Sequence, residues 1–338
     1  MARQVNIGII GTGRIGRVHA ENLAYRIPEA KVVAVADVVV ESAQKCAADL
    51  GIPAAFKDHR AILENKQTEA VVICSSTDTH AQFIEEAAEA GKHIFCEKPI
   101  DYDLKRIDRA LEAVKQAGVK LQIGFNRRFD PSFKRVRDMV AEGRIGAPHI
   151  VHIVSRDPAP PPIEYIKVSG GIFLDMTIHD FDMARYLIGS EVEEVYAMGG
   201  VMIDPKIGEA GDVDTALVTL RYANGAIGSI DNSRQAVYGY DQRVEVLGAK
   251  GGIVVTNRTP DNAIYSNAEA VHAARPLYFF IERYTDAFVV EMKEFIASVV
   301  ADKTPPVTGI DGRIPVVMGL AAWKSYRENR PVKLSEIN

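Results

Sequence analysis

One short stretch of the chain, Gly170-Gly171-Ile172-Phe173-Leu174-Asp175-Met176-Thr177-Ile178-His179-Asp180-Phe181-Asp182, places polar and apolar residues in a helical rhythm. Read as one helix over Phe173–Leu187, it puts Asp175, His179 and Asp182 at i, i+4 and i+7 on a single face. Phe173, Met176, Ile178 and Phe181 fill much of the remainder. Polar groups on such a segment turn inward only when partners or a ligand await them. A histidine is suited to take a hydroxyl proton near neutral pH, and a neighbouring carboxylate can orient it. Asp and His at that spacing could also share a metal ion, but nothing else completes a coordination set, so no metal is expected. A second reactive group is Lys98, in Glu97-Lys98-Pro99 just past an apolar run, where a fixed proline backbone aims the lysine.

The third feature is Gly11-Thr12-Gly13-Arg14-Ile15-Gly16, which follows the apolar run Val5–Ile10 directly and opens a helix. In that setting the first glycine permits a tight turn, the second lets backbone approach a pyrophosphate, and the third lets helix and strand pack closely. The free N–H groups of the helix start then face the phosphates. The next strand ends in Asp37, 21 residues after Gly16 and close to the spacing of a ribose-binding acid. A carboxylate there accepts from both adenosine ribose hydroxyls and repels a 2′-phosphate. Val38-Val39-Val40 bring neither Arg nor Ser to welcome one, so NAD is expected over NADP.

These groups need elements to hold them. Short β-rich runs at Val5–Ile10, Lys31–Ala36, Ala70–Cys74, His93–Cys96 and Lys120–Ile123 alternate with amphipathic stretches such as Gln82–Ala90 and Leu104–Ala117. In the latter, Leu104, Ile107, Leu111 and Val114 share one face, and Gly91 and Gly118 stand where helix C-caps belong. Strand alternating with helix means a parallel sheet covered on both faces, with ligands beyond the carboxyl ends of its strands. Past Phe125 the pattern changes to β runs at Val192–Met202, Ala216–Tyr222, Ala226–Asn232, Arg243–Leu247 and Gly252–Thr256. Asn224-Gly225 reads as a type I′ hairpin turn. A helical pair near Tyr284–Ala301 and Ile310–Arg327 closes the chain. The expected architecture is α/β: a doubly wound Rossmann domain over residues 1–124, then an α+β domain over 125–338 with a large open, mainly antiparallel sheet. The C-terminal helix is allowed to pack back on the first domain.

Composition limits the alternatives. The 338 residues are 47% hydrophobic and 25% charged, ordinary for a globular chain of two domains. A net charge of −5 gives no reason to expect nucleic acid or an anionic membrane as partner. No apolar run reaches about 18 residues, so nothing is expected to span a bilayer, and no secretory leader is evident. Cys46, Cys74 and Cys96 form an odd set without CxxC spacing and read as reduced core residues, which fits a cytoplasmic protein.

Taken together, the Gly11–Gly16 cradle, Ser76-Thr77-Asp78-Thr79-His80, Glu97-Lys98-Pro99 and the Asp175/His179 helix resemble the family of glucose–fructose oxidoreductases, inositol dehydrogenases and their relatives, over essentially the whole chain. Two stretches are similar to the myo-inositol 2-dehydrogenases within it. One runs from Arg156-Asp157-Pro158 through Glu164-Tyr165 to the Asp175/His179 helix, and the other is Tyr238-Gly239-Tyr240-Asp241-Gln242-Arg243. The resemblance implies Lys98, Asp175 and His179 as the catalytic trio. For NAD it implies Gly11, Gly13, Arg14, Ile15, Gly16, Asp37, Ser75, Ser76, Thr77, His80, Glu97 and Lys98. For a cyclic polyol it implies Arg127, Asp157 and Tyr238 beside the catalytic trio. It also implies a six-stranded open sheet in the second domain and a homotetramer assembled through those sheets. The expected reaction is oxidation of myo-inositol at C2 to the 2-keto-inositol with formation of NADH. The alternatives are another inositol isomer or monosaccharide, a glycosidase that retains NAD, and a non-catalytic NAD-sensing protein.

Overall fold

The computed structural model describes residues 3–337 and divides the chain into two compact units. One comprises Met1–Phe129 with Asp286–Ile314, the other Asp130–Thr285 with Pro315–Asn338.

The first unit is a six-stranded parallel sheet in the order β3-β2-β1-β4-β5-β6, with β1 (Val5–Ile10), β2 (Ala30–Ala36), β3 (Ala55–Phe56), β4 (Ala70–Ile73), β5 (His93–Glu97) and β6 (Leu121–Gly124). Helices α1 (Arg14–Tyr25), α2 (Val40–Leu50), α3 (Arg60–Leu63), α4 (Thr77–Glu89) and α5 (Leu104–Ala117) connect them. Covered on both faces, the central strands are apolar at nearly every position, and all four residues of β4 are buried. The amphipathic pattern of Leu104–Ala117 forms a helix with those bounds, started by Asp103, whose side chain accepts from the Lys105 N–H, and stopped by Gly118 in the left-handed region.

The segment 286–314 joins this unit for a hydrophobic reason. Of the chain's later helices, α6 (Pro131–Ala141), α7 (Ile163–Ile166), α8 (Ile172–Asp175), α9 (Thr177–Ile188), α10 (Pro205–Glu209) and α11 (Phe280–Arg283) fall in the second unit. α12 (Thr285–Val300) instead buries Met292, Phe295, Ile296 and Val299 in one cluster with Val5, Ile7, Ile9, Leu23, Val35 and Phe95. The last helix, α13 (Gly309–Glu328), begins in the first unit, where Gly312 lies so close to Ile100 and Ile123 that a Cβ would come within 2.7 Å of the Ile100 side chain.

The second unit carries a seven-stranded sheet in the order β12-β11-β7-β10-β9-β8-β15. Its strands are β7 (Pro148–Arg156), β8 (Val192–Gly200), β9 (Thr215–Tyr222), β10 (Ile227–Ser233), β11 (Asp241–Gly248), β12 (Gly251–Val255) and β15 (Val332–Lys333), and a separate two-stranded hairpin joins β13 (Ile264–Ser266) to β14 (Val271–Ala273). All pairings in the large sheet are antiparallel except β7 with β10. The expected six strands are present, and the two-residue β15 adds a seventh along β8. β9 shows the period-2 burial of a sheet packed on one side only, its even-numbered residues buried and its odd-numbered ones more exposed.

Two local expectations are corrected. The Asn224-Gly225 hairpin is not type I′, because Gly225 has positive φ and Asn224 does not. The Gly225 N–H instead donates to the Tyr222 carbonyl and the Tyr222 N–H to the Ala226 carbonyl, a three-residue loop that ends on a left-handed glycine. The single helix over Phe173–Leu187 is two, α8 and α9, divided at Met176. A further central strand, β7, lies where the sequence shows no clear strand pattern, because the exposed His149 and His152 interrupt its apolar run. Among the described residues no helix is long and apolar enough to cross a membrane.

Candidate active site

The glycine cradle forms as its spacing requires. Gly11 has φ +93°, and a Cβ there would fall 2.5 Å from the Cys74 carbonyl oxygen, while one on Gly16 would fall 2.0 Å from that of Gly11. Both approaches admit glycine alone. Gly13 has open space beside it, and no side chain caps the start of α1, so its N–H groups are available to phosphate. Arg14 is exposed at that start, whereas Ile15 packs its side chain against the core.

A cleft of about 310 Å³ runs along the carboxyl edge of the sheet, lined in part by Gly11, Gly13, Asp37, Ser75, Ser76 and Thr79. Asp37 Oδ2 accepts from the Thr12 N–H at 2.7 Å and its hydroxyl at 3.0 Å, and Oδ1 accepts from the Val39 N–H at 2.9 Å. Of the roughly four lone-pair positions of a carboxylate, three are thus used within the fold, which leaves one on Oδ1 for a ribose hydroxyl. The cleft also takes in Lys57, His59 and Phe83. These went unnoticed in sequence because β3, which places Lys57, is two residues long. His59 stacks on Phe83 with ring centroids 4.0 Å apart and bonds Glu86 through Nε2 at 2.6 Å. The open glycine backbone, free helix start and anchored acid fit a dinucleotide.

Not every residue expected at this edge reaches the cleft. His80 is buried, its Nδ1 2.8 Å from the Pro99 carbonyl and its Nε2 3.0 Å from that of Ser75, and burial lowers its pKa. It braces the ends of β4 and β5 rather than facing a ligand. Thr77 is absent from the lining. Glu97, the last residue of β5, accepts or shares a proton with His19 Nε2 at 2.7 Å. Lys98 follows it, half-buried, with a cis peptide to Pro99. Arg127 is almost fully buried in the 3₁₀ turn Asn126–Phe129. Cys46, Cys74 and Cys96 are free and buried, and burial pushes all three thiols up, as expected of inert core residues.

In the second unit, residues 171–185 are buried at every position except Asp175 and His179. Asp175 closes the single turn α8, and His179 lies in the first turn of α9. Asp182, expected on the same face, is fully buried instead. Asp175 Oδ1 accepts from the Tyr165 hydroxyl at 2.8 Å, and Oδ2 from Arg234 at 3.4 Å. His179 Nδ1 is buried. Asp157 is bracketed by the end of β10: its N–H donates to the Ser233 carbonyl at 2.9 Å, and its carbonyl accepts from Ala236 at 2.6 Å. Tyr238 donates to Asp241 at 2.5 Å and accepts from Arg156 at 3.2 Å. Burial and the Asp241 charge raise its pKa, so it remains a neutral phenol.

Residues 5–125 match the oxidoreductase family with an NAD-binding Rossmann fold, and residues 133–254 match the GFO/IDH/MocA C-terminal domain. The chain belongs to the Gfo/Idh/MocA oxidoreductase family. Members similar to it include a myo-inositol 2-dehydrogenase of Thermotoga maritima, 51% identical over 98% of this chain and 99% of that one. An inositol 2-dehydrogenase of Rhizobium meliloti is 45% identical over 98% and 99%. Among Gfo/Idh/MocA structures, scyllo-inositol dehydrogenase of Lactobacillus casei, solved with NAD(H) and scyllo-inositol, superposes with a TM-score of 0.92 at 31% identity, covering 98% of this chain and all of that one. The chain is thus an oxidoreductase with NAD as its cofactor.

Proposed function

We propose that this Gfo/Idh/MocA enzyme oxidises myo-inositol at C2 to 2-keto-myo-inositol with formation of NADH, using Lys98, Asp175 and His179. The observation that carries the reading is the pair Asp175 and His179, the two residues in 171–185 that burial leaves open to a ligand. Similarity to inositol dehydrogenases over nearly the whole chain supports the substrate class.

Bound NAD supplies the acceptor for the hydride that leaves C2. His179 takes the hydroxyl proton on Nε2, since its Nδ1 is buried. Lys98 donates a hydrogen bond to the oxygen as charge develops there. Asp175, held by Tyr165 and Arg234, stabilises the imidazolium that results. NAD would be held by the α1 start, by Asp37 at the ribose and by Ser75 and Ser76, which line the same cleft. Arg127, Asp157 and Tyr238 select the ring position, because one carbon among six similar hydroxyls is distinguished only by several fixed donors and acceptors.

The test is NADH formation with NAD⁺ or NADP⁺ against a panel of inositol isomers and monosaccharides. Activity greatest with myo-inositol, and reduced by about 100-fold or more in H179A with NAD binding retained, is the expected result. Absence of activity with every inositol refutes the substrate, and near-normal turnover in H179A removes it as the base. The relationship to a scyllo-inositol dehydrogenase favours one second reading, scyllo-inositol as substrate, and the same panel separates the two.

We also propose a homotetramer assembled through the outer face of the large sheet. Met198 and Leu217 stand exposed side by side there, and Ile227 and Leu247 stand exposed on either side of Ile150 further along the strands, two apolar spots that a second copy would cover.

A further inference from the structure

Arg234 is the bulkiest of the fully buried side chains and lies one residue beyond β10. It donates to Asp175 Oδ2 and to Asp212 Oδ2, each at 3.4 Å, and its Nε–H is buried with no partner. As a contribution to folding this is a poor arrangement. A guanidinium has left water for two long bonds and one nitrogen with no partner, where apolar side chains in place of such ions often serve stability as well.

What the arrangement achieves is spatial. Asp212 Oδ1 also accepts from the N–H of Ile172, the first residue of α8, at 2.9 Å, whereas Asp175 is the last residue of that same turn. Asp212 and Arg234 together therefore grip both ends of α8. The close fit shows at Gly171, φ +77°, where a Cβ would fall 2.8 Å from Asp212 Oδ1 and 2.5 Å from Trp323. Two residues before Arg234, Asn232 accepts from the Thr177 hydroxyl at 2.6 Å and donates to Asp180 at 2.9 Å, which fixes the first turn of α9 around His179. The end of β10 thus sets two segments, one bearing Asp175 and the other His179. The division at Met176 lets each be placed by its own contacts.

We propose that Arg234 is a positioning residue for the oxidation, acting through the Asp212–Arg234–Asp175 strut to hold the Asp175 carboxylate in its working place beside His179. The proposal rests on the reading of Asp175 and His179 as catalytic. It predicts an effect on turnover, not on binding of the cofactor.

The experiment compares the wild-type enzyme with D175N, R234K, R234M and the double variants D175N/R234M and D212N/R234M, on the best substrate of the panel. Steady-state kcat and KM, NADH binding by fluorescence and thermal melting are read for each. R234M should lower kcat by about 100-fold, the scale of a lost acid–base contribution, with KM and NADH affinity little changed. R234K, which keeps the charge on a shorter reach, should recover at least tenfold of that loss. Adding R234M to D175N should cost nothing further, since the strut acts only through Asp175. R234M alone leaves the buried Asp212 and the half-buried Asp175 without their cation and is prone to unfold. D212N/R234M removes one charge of each sign and should fold while showing the same loss of kcat. Wild-type turnover in a folded D212N/R234M, beside an impaired D175N, overturns the strut alone. Wild-type turnover in D175N overturns the catalytic role of Asp175 and the strut with it.

Discussion

Glu291 sits on α12 with its side chain fully buried and both carboxyl oxygens without a hydrogen-bond partner. Burial, and then repulsion from Glu97, raises its pKa well above the ordinary value of 4.5, so the fold holds it as a neutral acid. Its surroundings offer little to an ion. Gln122 donates to the Glu291 backbone carbonyl at 2.9 Å, and the Gln122 Oε1 is itself a buried acceptor without a donor. An acid whose folded pKa exceeds its unfolded one binds more protons in the fold. Its unfavourable contribution is therefore absent below the unfolded value and grows as pH rises towards the folded one. In that window each pH unit costs the wild type about 1.4 kcal/mol relative to a variant with nothing to titrate. E291Q keeps the size and the neutrality. Urea unfolding followed by fluorescence should show E291Q gaining on the wild type as pH rises from about 5 to about 8, by at most about 1.4 kcal/mol per pH unit. Parallel stability curves for the two proteins across that range would show that Glu291 does not stay protonated in the fold, and the reasoning from its burial would fail.

Two further outcomes follow from the geometry. D37S removes the carboxylate that opposes a 2′-phosphate while Lys57 stays in the same cleft, so the NAD over NADP preference in kcat/KM should fall by roughly 10- to 100-fold, the range expected of a partly screened like-charge contact. An unchanged ratio would take Asp37 out of cofactor selection. I227K places a charge on the exposed face of the sheet and should reduce the mass measured by light scattering from that of the proposed tetramer to a smaller species, whereas an unaltered mass would take this face out of any interface.

The parts legible in sequence were those set by neighbours along the chain. Val5–Ile10 and Leu104–Ala117 took the bounds that their apolar periodicity indicates, and the glycines of the cradle were readable because each meets a steric demand within a few residues or from the adjoining strand. What escaped depends on contacts distant in sequence. The division at Met176 is invisible to a periodicity that continues through it, because α8 and α9 are set apart by Asp212, Asn232 and Arg234, from 40 to 59 residues on by the bonds that join them. Lys57 and His59 reach the cleft by following a two-residue strand, too short for any pattern. β7 hid behind two histidines whose exposed positions are evident only once the sheet's register is known. The roles proposed for Lys98, Asp175 and His179 rest on family resemblance, not on spacing alone.

The return of residues 286–314 to the first unit has a consequence for synthesis. The apolar surface of β1, β2 and α1 that receives Met292, Phe295, Ile296 and Val299 emerges from the ribosome long before those four residues do. At about 5–20 residues per second, the interval between completing Phe129 and reaching Ile314 is roughly ten to forty seconds. Throughout it the nascent nucleotide-binding unit carries an uncovered hydrophobic strip, a natural landing place for holding chaperones until the chain comes back to close it.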